Sequence, residues 1–310
     1  MPDTPSPSEP SAPANPPAER VAWIGTGIMG GSMAGHLLAA GHEVVVHSRT
    51  RAKTEALLSR GARWADSPAE AAAAADIVCT NVGLPDEVES VYFGSRGVFA
   101  GARAGQLLVD FSTSPPSLAR RIAAEAAARG AQALDAPVSG GDIGARNAAL
   151  VIMVGGDAAA FERAKPLFAR LGKSAILQGE AGAGQRTKIV NQILVAASTV
   201  GMCEAVHFAE RAGLDPRRVL ESIGGGAAAS WALTALAPRI LDGNFEPGFL
   251  VDHIVKDLRI ALSEADELGE HLPVARKCLE RYEALQAAGH GLRGTQGLYL
   301  LYRDGRPAGR

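Results

Sequence analysis

Short apolar runs alternate with alanine- and leucine-rich stretches along roughly the first 180 residues. The runs have the length of buried parallel strands, and they occupy Val21–Ile24, Glu43–His47, Asp76–Thr80, Gln106–Asp110, Gln132–Asp135, Leu150–Val154 and Ser174–Leu177. Three stretches between them have helical spacing: Ile28–Ala40, Ala69–Ala75 and Leu118–Arg129. Alternating strands and helices favour a doubly wound parallel sheet, which binds ligands beyond the carboxyl ends of its strands.

Beyond residue 180 the pattern is helical only. The stretch from Gln185 to Ala212 is about 28 residues without a strand signal. Further helices are predicted at Pro216–Ile223, Trp231–Leu241, His253–Leu268 and Pro273–Ala288. The sequence therefore predicts an α/β domain over residues 20–181 and an all-helical domain over residues 182–310.

Residues 1–19 differ from everything after them. Seven of the 18 prolines lie between Pro2 and Pro17, mixed with Ser, Ala, Asp and Glu. Such a composition lacks backbone donors and any apolar periodicity, so it predicts a disordered tail. It also lacks the basic start and apolar stretch of a secretory signal.

Composition and charge narrow the class of protein. Hydrophobic residues make up 47% of the 310 residues, which excludes disorder for the chain as a whole. A formal net charge of -2 gives no basic surface for nucleic acid or an anionic membrane, and no apolar run approaches the ~18 residues of a membrane span. We expect a cytoplasmic protein without nucleic-acid or membrane partners.

The three cysteines are sparse. Cys79, Cys203 and Cys278 include no C-x-x-C pair, which fits a reducing compartment and supports neither disulfides nor a zinc site. No histidine pattern points to a metal either, and His253 is expected in a cleft without an assigned role. We expect the cysteines to be buried as small apolar side chains.

A glycine motif follows the first strand directly. Gly25-Thr26-Gly27-Ile28-Met29-Gly30 is a G-x-G-x-x-G that opens a predicted helix, and a second strand follows. This strand–turn–helix–strand order is typical of a Rossmann-type dinucleotide-binding unit, in which the pyrophosphate lies on free amides of the helix N-terminus. Leu84 and Pro85 follow another strand and are expected at the same edge.

The end of the second strand bears on the choice of cofactor. NAD sites usually have Asp or Glu there to hold the ribose 2′-hydroxyl. This chain has Ser48, Arg49 and Thr50 instead, followed by Arg51. Guanidinium and hydroxyl groups suit a 2′-phosphate. The sequence therefore predicts a preference for NADP(H), with NAD(H) as the alternative.

Five motifs in order resemble those of the β-hydroxyacid dehydrogenase family, from Val21 to the C-terminus. Besides the glycine turn they are Asp110-Phe111-Ser112-Thr113, Asp135-Ala136-Pro137-Val138-Ser139-Gly140-Gly141, Gly182-Ala183-Gly184 with Lys188 and Asn191, and Lys256-Asp257-Leu258. The resemblance implies cofactor contacts for Thr113 and Lys256, a substrate-binding loop at Ser139, Gly140 and Gly141, and Lys188 as the catalytic lysine. Gln192 replaces the second asparagine of the family pattern, which changes the reach of a substrate-binding amide.

Lys188, Asn191 and Gln192 stand at i, i+3 and i+4, so a helix presents them on one face. Burial would lower the pKa of a lysine, and so would a position in the first helical turn, where the dipole disfavours a cation. Both effects favour general acid–base catalysis. A solvated lysine at a helix start is the alternative from the residues alone.

Ser139-Gly140-Gly141 offers a hydroxyl and two amides that could hold a carboxylate; alone, it also fits an ordinary strand-to-helix turn. The expected substrate is a small carboxylate, oxidised reversibly from a β-hydroxy acid to a semialdehyde as by 3-hydroxyisobutyrate dehydrogenase, with Lys188 and Asn191 as catalytic residues.

Alternatives stay open within and outside enzymes. A reductase of glyoxylate, succinic semialdehyde or tartronate semialdehyde differs mainly in direction and pocket. An imine reductase or a non-catalytic dinucleotide-binding module would typically lack the lysine, and a 6-phosphogluconate dehydrogenase would have histidine in place of Asn191. The apolar helical half predicts a homodimer or homotetramer, and Trp231 is expected to pack a helix.

Overall fold

The computed structural model describes residues 19–305. Residues 1–18 of the predicted tail lie outside the described residues. Glu19, the last residue assigned to that tail, is anchored: its carboxylate accepts from the guanidinium of Arg163 at 2.6 Å. Glu19 is therefore joined to the helix over Ala158–Leu171.

The described residues form a nine-stranded sheet. Its strands in chain order are β1 (Val21–Ile24), β2 (Val44–His47), β3 (Arg63–Trp64), β4 (Ile77–Thr80), β5 (Leu107–Asp110), β6 (Gln132–Asp135), β7 (Val138–Ser139), β8 (Leu150–Gly156) and β9 (Gly172–Gly179). All seven predicted strands are present. The additional strands, β3 and β7, have two residues each, too few for a periodic signal.

The strand order β3-β2-β1-β4-β5-β6-β8-β7 makes the sheet doubly wound, with β9 paired to β8. Strands β1 to β6 pair in parallel, whereas β8 pairs antiparallel with β6 and β7. The direction of winding reverses between β1 and β4. Ligands of such sheets bind in the crevice at that reversal, which here is bordered by the glycine turn after β1.

Helices cover both faces of the sheet and form the second half. They are α1 (Ile28–Ala39), α2 (Glu55–Leu58), α3 (Pro68–Ala73), α4 (Pro85–Phe93), α5 (Val98–Gly101), α6 (Pro116–Ala128), α7 (Gly141–Arg146), α8 (Ala158–Leu171), α9 (Ala183–Arg211), α10 (Pro216–Ile223), α11 (Ala237–Leu241), α12 (Val251–Glu267), α13 (Pro273–Leu285) and α14 (Tyr299–Arg303). Two apolar clusters fill the two sides of the sheet and a third lies among α9 to α14. The predicted fold class, an α/β sheet followed by a helical domain, is confirmed.

Helix α9 packs against the other helices of the helical half. Its 29 residues span about 43 Å at 1.5 Å per residue. One 18-residue window has a mean hydropathy of 1.5, and 33% of that window is buried. The expectation, drawn from continuous apolar runs, missed this helix, which is long and apolar enough to cross a membrane by length and composition. Its Ile, Val, Leu and Ala residues raise the mean hydropathy, but polar residues such as Asn191, Ser198 and Glu204 interrupt the run. Val190, Leu194 and Phe208 are its exposed large apolar residues.

The predicted burial of the three cysteines is confirmed, whereas Trp231 is more exposed than expected. Cys79, Cys203 and Cys278 are all buried, as expected. Trp231, expected to pack a helix, is 59% exposed. It precedes a π-helical turn over Ala232–Leu236, which widens the backbone spiral just before α11.

Candidate active site

The glycine turn after β1 has different requirements at its three glycines. Gly25 has φ +95°, and a Cβ there would collide with the carbonyl of Asn81. A Cβ on Gly30 would collide with the carbonyl of Gly25. A Cβ on Gly27 would meet nothing within 4 Å. The outer glycines thus permit the tight turn, whereas the middle glycine keeps the crevice open for a group that approaches the backbone.

Trp23 supports this turn from below. Its indole Nε1–H donates to the carbonyl of Gly25 at 3.0 Å, and its ring is stacked on Phe111 with centroids 5.5 Å apart. The side chain is fully buried. The left-handed conformation of Gly25 is therefore held by a side chain of the preceding strand, a contact that the motif alone does not indicate.

The residues at the turn fit a dinucleotide pyrophosphate. The hydroxyl of Thr26 is buried and has no hydrogen-bond partner among the described residues. Helix α1 begins at Ile28, whose side chain is 65% exposed, and no side chain caps the helix N-terminus. Free amides, an unpaired hydroxyl and an open glycine face are what an anionic phosphate group needs.

Both arginines after β2 have partners. Arg49 follows Ser48 on a bend that leads to Thr50, and its Nη1 donates to Oε1 of Glu87 at 2.6 Å. The guanidinium of Arg51 lies 5.2 Å from the centre of the Trp64 ring.

Glu87 was not singled out from the sequence. It lies in the first turn of α4, and its Oε2 accepts the backbone N–H groups of Gly83 and Leu84 at 3.0 and 3.2 Å. Burial tends to raise the pKa of Glu87, but the Arg49 guanidinium and these N–H groups together lower it by more. The pKa of Glu87 is therefore below its usual range. The signal for it was an acid in the first helical turn after Pro85. Glu87 thus orders the loop that carries Leu84 and Pro85.

Lys188 is buried, with 7% of its surface exposed, in the second turn of α9 rather than the first. Its Nζ donates to the carbonyl of Val138 at 2.8 Å. Burial lowers the pKa of Lys188 to about 8, while the negative charge of Asp257 opposes this and the positive charge of Lys256 adds to it. The expected direction of the pKa shift is therefore present, and its main cause is burial rather than the helix dipole.

The bond to Val138 places this amine beside the predicted substrate loop. Ser139 follows Val138 directly at the end of β7, and Gly140 and Gly141 have φ of +129° and +62°. These positive φ values suit glycine and turn the backbone into α7. The structure thus brings Lys188 next to the Ser139-Gly140-Gly141 loop, although Gly141 and Lys188 are 47 positions apart in the chain.

Asn191 and Gln192 belong to a chain of hydrogen bonds. Nδ2 of Asn191 donates to Oε1 of Gln192 at 2.7 Å, and Nε2 of Gln192 donates to Oδ2 of Asp257 at 2.6 Å. Gln192 is 2% exposed. The structure therefore places the Gln192 amide behind Asn191, joined to α12, and Asn191 is the more accessible amide.

Lys256 continues this chain toward the sheet. Its Nζ lies 2.9 Å from Oδ1 of Asp257 and donates to the carbonyl of Thr113 at 2.8 Å. Thr113 follows β5, so the lysine joins α12 to the crevice. The predicted cofactor residues thus lie at the carboxyl ends of β1, β2, β4 and β5, with Lys256 reaching them from the helical half.

His253, one turn before Lys256 on α12, also lies at this crevice. Its ring is 6.0 Å from that of Phe249, and a Cβ on Gly83 would be 3.6 Å from its Nε2. Burial, and then the charge of Lys256, lower the pKa of His253. Among residues 19–305 no group of three or more His, Cys, Asp or Glu side chains could hold a metal ion.

Two family models cover the chain. Residues 20–182 match the NAD-binding domain of 6-phosphogluconate dehydrogenase. Residues 182–302 match the NAD-binding domain of NADP-dependent 3-hydroxyisobutyrate dehydrogenase. The two matches meet at Gly182, directly before α9.

Individual relatives agree with these models. An uncharacterized oxidoreductase of Bacillus subtilis (strain 168) is 49% identical over 91% of this chain and 98% of its own length. The 2-hydroxy-3-oxopropionate reductase of Escherichia coli (strain K12) is 41% identical over 87% of this chain and 92% of its own length.

A solved structure, of Mycobacterium tuberculosis 3-hydroxyisobutyrate dehydrogenase with L-serine, superposes with a TM-score of 0.84. It is 31% identical, and the match covers 92% of this chain and 99% of that one. With the glycine turn, the buried lysine and the loop beside it, these matches show that the chain belongs to the β-hydroxyacid dehydrogenase family and is an NAD(P)-dependent oxidoreductase similar to 3-hydroxyisobutyrate dehydrogenase and tartronate semialdehyde reductase.

Proposed function

We propose that this enzyme interconverts a small β-hydroxy acid and its semialdehyde with NADP(H), and that Lys188 is the general acid–base. The observation that carries the proposal is the buried Nζ of Lys188, fixed 2.8 Å from the Val138 carbonyl and beside the glycine loop. A pKa of about 8 allows this amine to exist in both protonation states near neutral pH.

In the oxidation, the substrate carboxylate is held by the hydroxyl of Ser139 and the amides of Gly140 and Gly141. This placement points the hydroxyl-bearing carbon away from the loop and leaves its hydroxyl near Nζ of Lys188. When bound, the nicotinamide cofactor supplies the hydride acceptor. Neutral Lys188 takes the hydroxyl proton, and the O–H electrons form the carbonyl as the carbon loses its hydride. In the reduction, protonated Lys188 returns the proton to the oxygen.

Asn191 is proposed to orient the substrate. Its Nδ2 already donates to Gln192, so its Oδ1 and second N–H remain for the hydroxyl or carboxylate. Gln192, being 2% exposed, would act on the substrate through Asn191. This arrangement favours a ligand with both groups within reach of one helical face, as in a short hydroxy acid.

The preference for NADP(H) rests on the residues after β2. Ser48, Arg49 and Thr50 present a guanidinium and two hydroxyls and no carboxylate of their own. Thr113 and Lys256, at the end of β5 and on α12, are proposed to contact the nicotinamide half. Comparable kcat/KM values with NADH and NADPH would contradict the preference, as would an unchanged preference in Arg49→Ala.

A substrate panel tests the reaction. It contains 3-hydroxyisobutyrate, tartronate semialdehyde, glyoxylate, succinic semialdehyde and L-serine, each with both cofactors. The E. coli relative is named for 2-hydroxy-3-oxopropionate and the M. tuberculosis structure contains L-serine, so we expect turnover of a three- or four-carbon acid. Tight NADPH binding without turnover on the panel would favour a non-catalytic binding module instead.

We also propose that the enzyme is a homodimer or homotetramer with closed symmetry. Val190, Leu194 and Phe208 on α9 are 59%, 66% and 70% exposed. They give the longest helix an apolar surface that a second copy of the chain would cover.

A further inference from the structure

The ion pair between Arg49 and Glu87 crosses the dinucleotide crevice. Arg49 follows β2 and Glu87 lies beyond β4, and in the sheet β1 lies between these two strands. The contact of 2.6 Å therefore joins the two sides of the glycine turn that starts at Gly25. In this fold the adenosine half of a dinucleotide lies on the β2 side of that turn.

The Glu87 side chain is held more firmly than the Arg49 side chain. The Glu87 side chain is 26% exposed, and its Oε2 is held by the N–H groups of Gly83 and Leu84. The Arg49 side chain is 86% exposed, and among residues 19–305 it donates a hydrogen bond through Nη1 alone. Because the carboxylate is fixed and the guanidinium is not, Arg49 is the partner that can turn toward a ligand.

We propose that Glu87 is a specificity-determining residue that competes with the cofactor 2′-phosphate for Arg49 and so limits the preference for NADP(H). The inference rests on the proposed contact between Arg49 and the 2′-phosphate. A phosphate that reaches Arg49 must either displace Glu87 from it or remain close to the Glu87 carboxylate. Both alternatives weaken NADP(H) binding, whereas NAD(H), which lacks the phosphate, needs neither.

The other charged groups near the crevice in the described part of the chain have different surroundings. The guanidinium of Arg51 lies over the Trp64 ring at 5.2 Å, on the side of β3. His253 and Lys256 lie on α12, where Lys256 donates to the Thr113 carbonyl. His253 lies beside Gly83, close enough to Glu87 for the carboxylate to act on the pKa of the imidazole. Arg49 is paired with the fixed carboxylate, and in our proposal it is also the cation that meets the incoming phosphate.

The test uses fragments of the cofactor, so it does not depend on turnover. Calorimetric titration with 2′,5′-ADP and with 5′-AMP is compared for wild type and Glu87→Gln. Glutamine keeps an oxygen for the Gly83 and Leu84 N–H groups but loses the charge. We expect 2′,5′-ADP to bind about three- to tenfold tighter to Glu87→Gln, the size expected for one partly exposed charge a few ångströms away, and 5′-AMP to bind nearly unchanged.

Glu89→Gln is the matched control. Glu89 lies on the same helix and pairs with Arg121 at 3.0 Å, so this variant makes the same charge change away from Arg49. We expect it to leave both affinities unchanged. An equal gain in 2′,5′-ADP affinity in Glu89→Gln would make the effect one of net charge and overturn the proposal.

Arg49→Ala and the double variant separate this inference from the proposed cofactor preference. We expect Arg49→Ala to weaken 2′,5′-ADP, and Glu87→Gln to give a clearly smaller gain in that background. If Arg49→Ala weakens 2′,5′-ADP but Glu87→Gln leaves or lowers its affinity, the competition is wrong while the cofactor preference stands. If Arg49→Ala has no effect on 2′,5′-ADP, the contact between Arg49 and the 2′-phosphate fails, and the competition fails with it.

Discussion

The Asp135 carboxylate at the end of β6 accepts the backbone N–H of Gln185 in the first turn of α9 at 2.8 Å. Its other oxygen accepts from Gly182 at 2.7 Å. The side-chain amide of Gln185 then binds the carbonyl of Ser112 and the N–H of Ser114, both after β5. The start of the helix that carries the proposed catalytic lysine is thus fixed to the carboxyl ends of β5 and β6.

This contact leaves no room for a side chain at residue 184. A Cβ on Gly184 would lie 2.5 Å from the Met153 carbonyl and 2.6 Å from that of Asp135. We predict that Gly184→Ala lowers the free energy of unfolding by at least about 2 kcal/mol, as overpacking against backbone does. Urea unfolding measures the loss, and kcat should fall because the lysine moves.

Gly201 on the same helix is the control for that prediction. Within one chain a Cβ there would meet nothing within 4 Å. Because Gly201 lies seven residues from both Leu194 and Phe208, on the face proposed for the oligomer, both variants are compared in the Leu194→Glu background. Gly201→Ala should therefore raise the free energy of unfolding by about 0.5–1 kcal/mol, since alanine loses less backbone entropy in a helix. If both variants have the same free energy of unfolding, the close contacts at Gly184 do not affect stability.

Replacing Lys188 by Met should separate turnover from cofactor binding. The variant keeps the length and apolar stem, so NADPH affinity measured by fluorescence should change little. Loss of a positioned acid–base group should lower kcat by at least about a hundredfold. Lys165→Met, at an exposed lysine paired with Glu162, serves as the control. Normal turnover in Lys188→Met would assign the proton transfer to another residue.

The same variant has a predicted effect on stability. The pKa of Lys188 is about 8 in the folded chain against 10.5 for an ordinary lysine, so the unfolded chain binds the proton more tightly. Burying protonated Lys188 therefore lowers the free energy of unfolding by up to about 3 kcal/mol at neutral pH. This loss disappears as the pH rises from about 8 to above 10. Lys188→Met should have the higher Tm at pH 7, with a smaller difference in alkaline buffer.

The rates of oxidation and reduction should depend on pH in opposite ways. Oxidation needs neutral Lys188, so kcat/KM should rise with pH and level off above about 8. Reduction needs the protonated amine and should fall over the same range. Because the charge of Asp257 raises the pKa of Lys188, Asp257→Asn should move both profiles to lower pH. Profiles that stay in place in Asp257→Asn would show that this carboxylate does not act on the lysine.

The proposed oligomer depends on the apolar face of α9. Sedimentation should give a dimer or tetramer for the wild type. Leu194→Glu should give smaller species, because a carboxylate would be buried at the interface. Leu268→Glu, at a residue 60% exposed at the end of α12, is the control and should leave the assembly intact. A monomeric, fully active wild type would contradict the proposal.

The sequence predicted what depends on local pattern. The strands from Val21–Ile24 onward and the glycine turn follow from short runs of residues, and so does the shared face of Lys188 and Asn191. The bond between Arg49 and Glu87 could not be predicted, because its partners are 38 positions apart in the chain. For Lys188, the sequence indicated a lowered pKa, but only the packing of the two halves shows burial as the main cause.

The buried indole beneath the glycine turn has a practical consequence. The chain has three tryptophans, and Trp23 donates its hydrogen bond to the turn itself. Reduced nicotinamide absorbs light at the wavelengths that tryptophan emits. Binding of NADPH should therefore quench tryptophan emission by energy transfer, and Trp23→Phe should lower this loss, leaving the part that comes from Trp64 and Trp231. The enzyme thus carries an intrinsic optical probe of cofactor occupancy, readable without substrate or label.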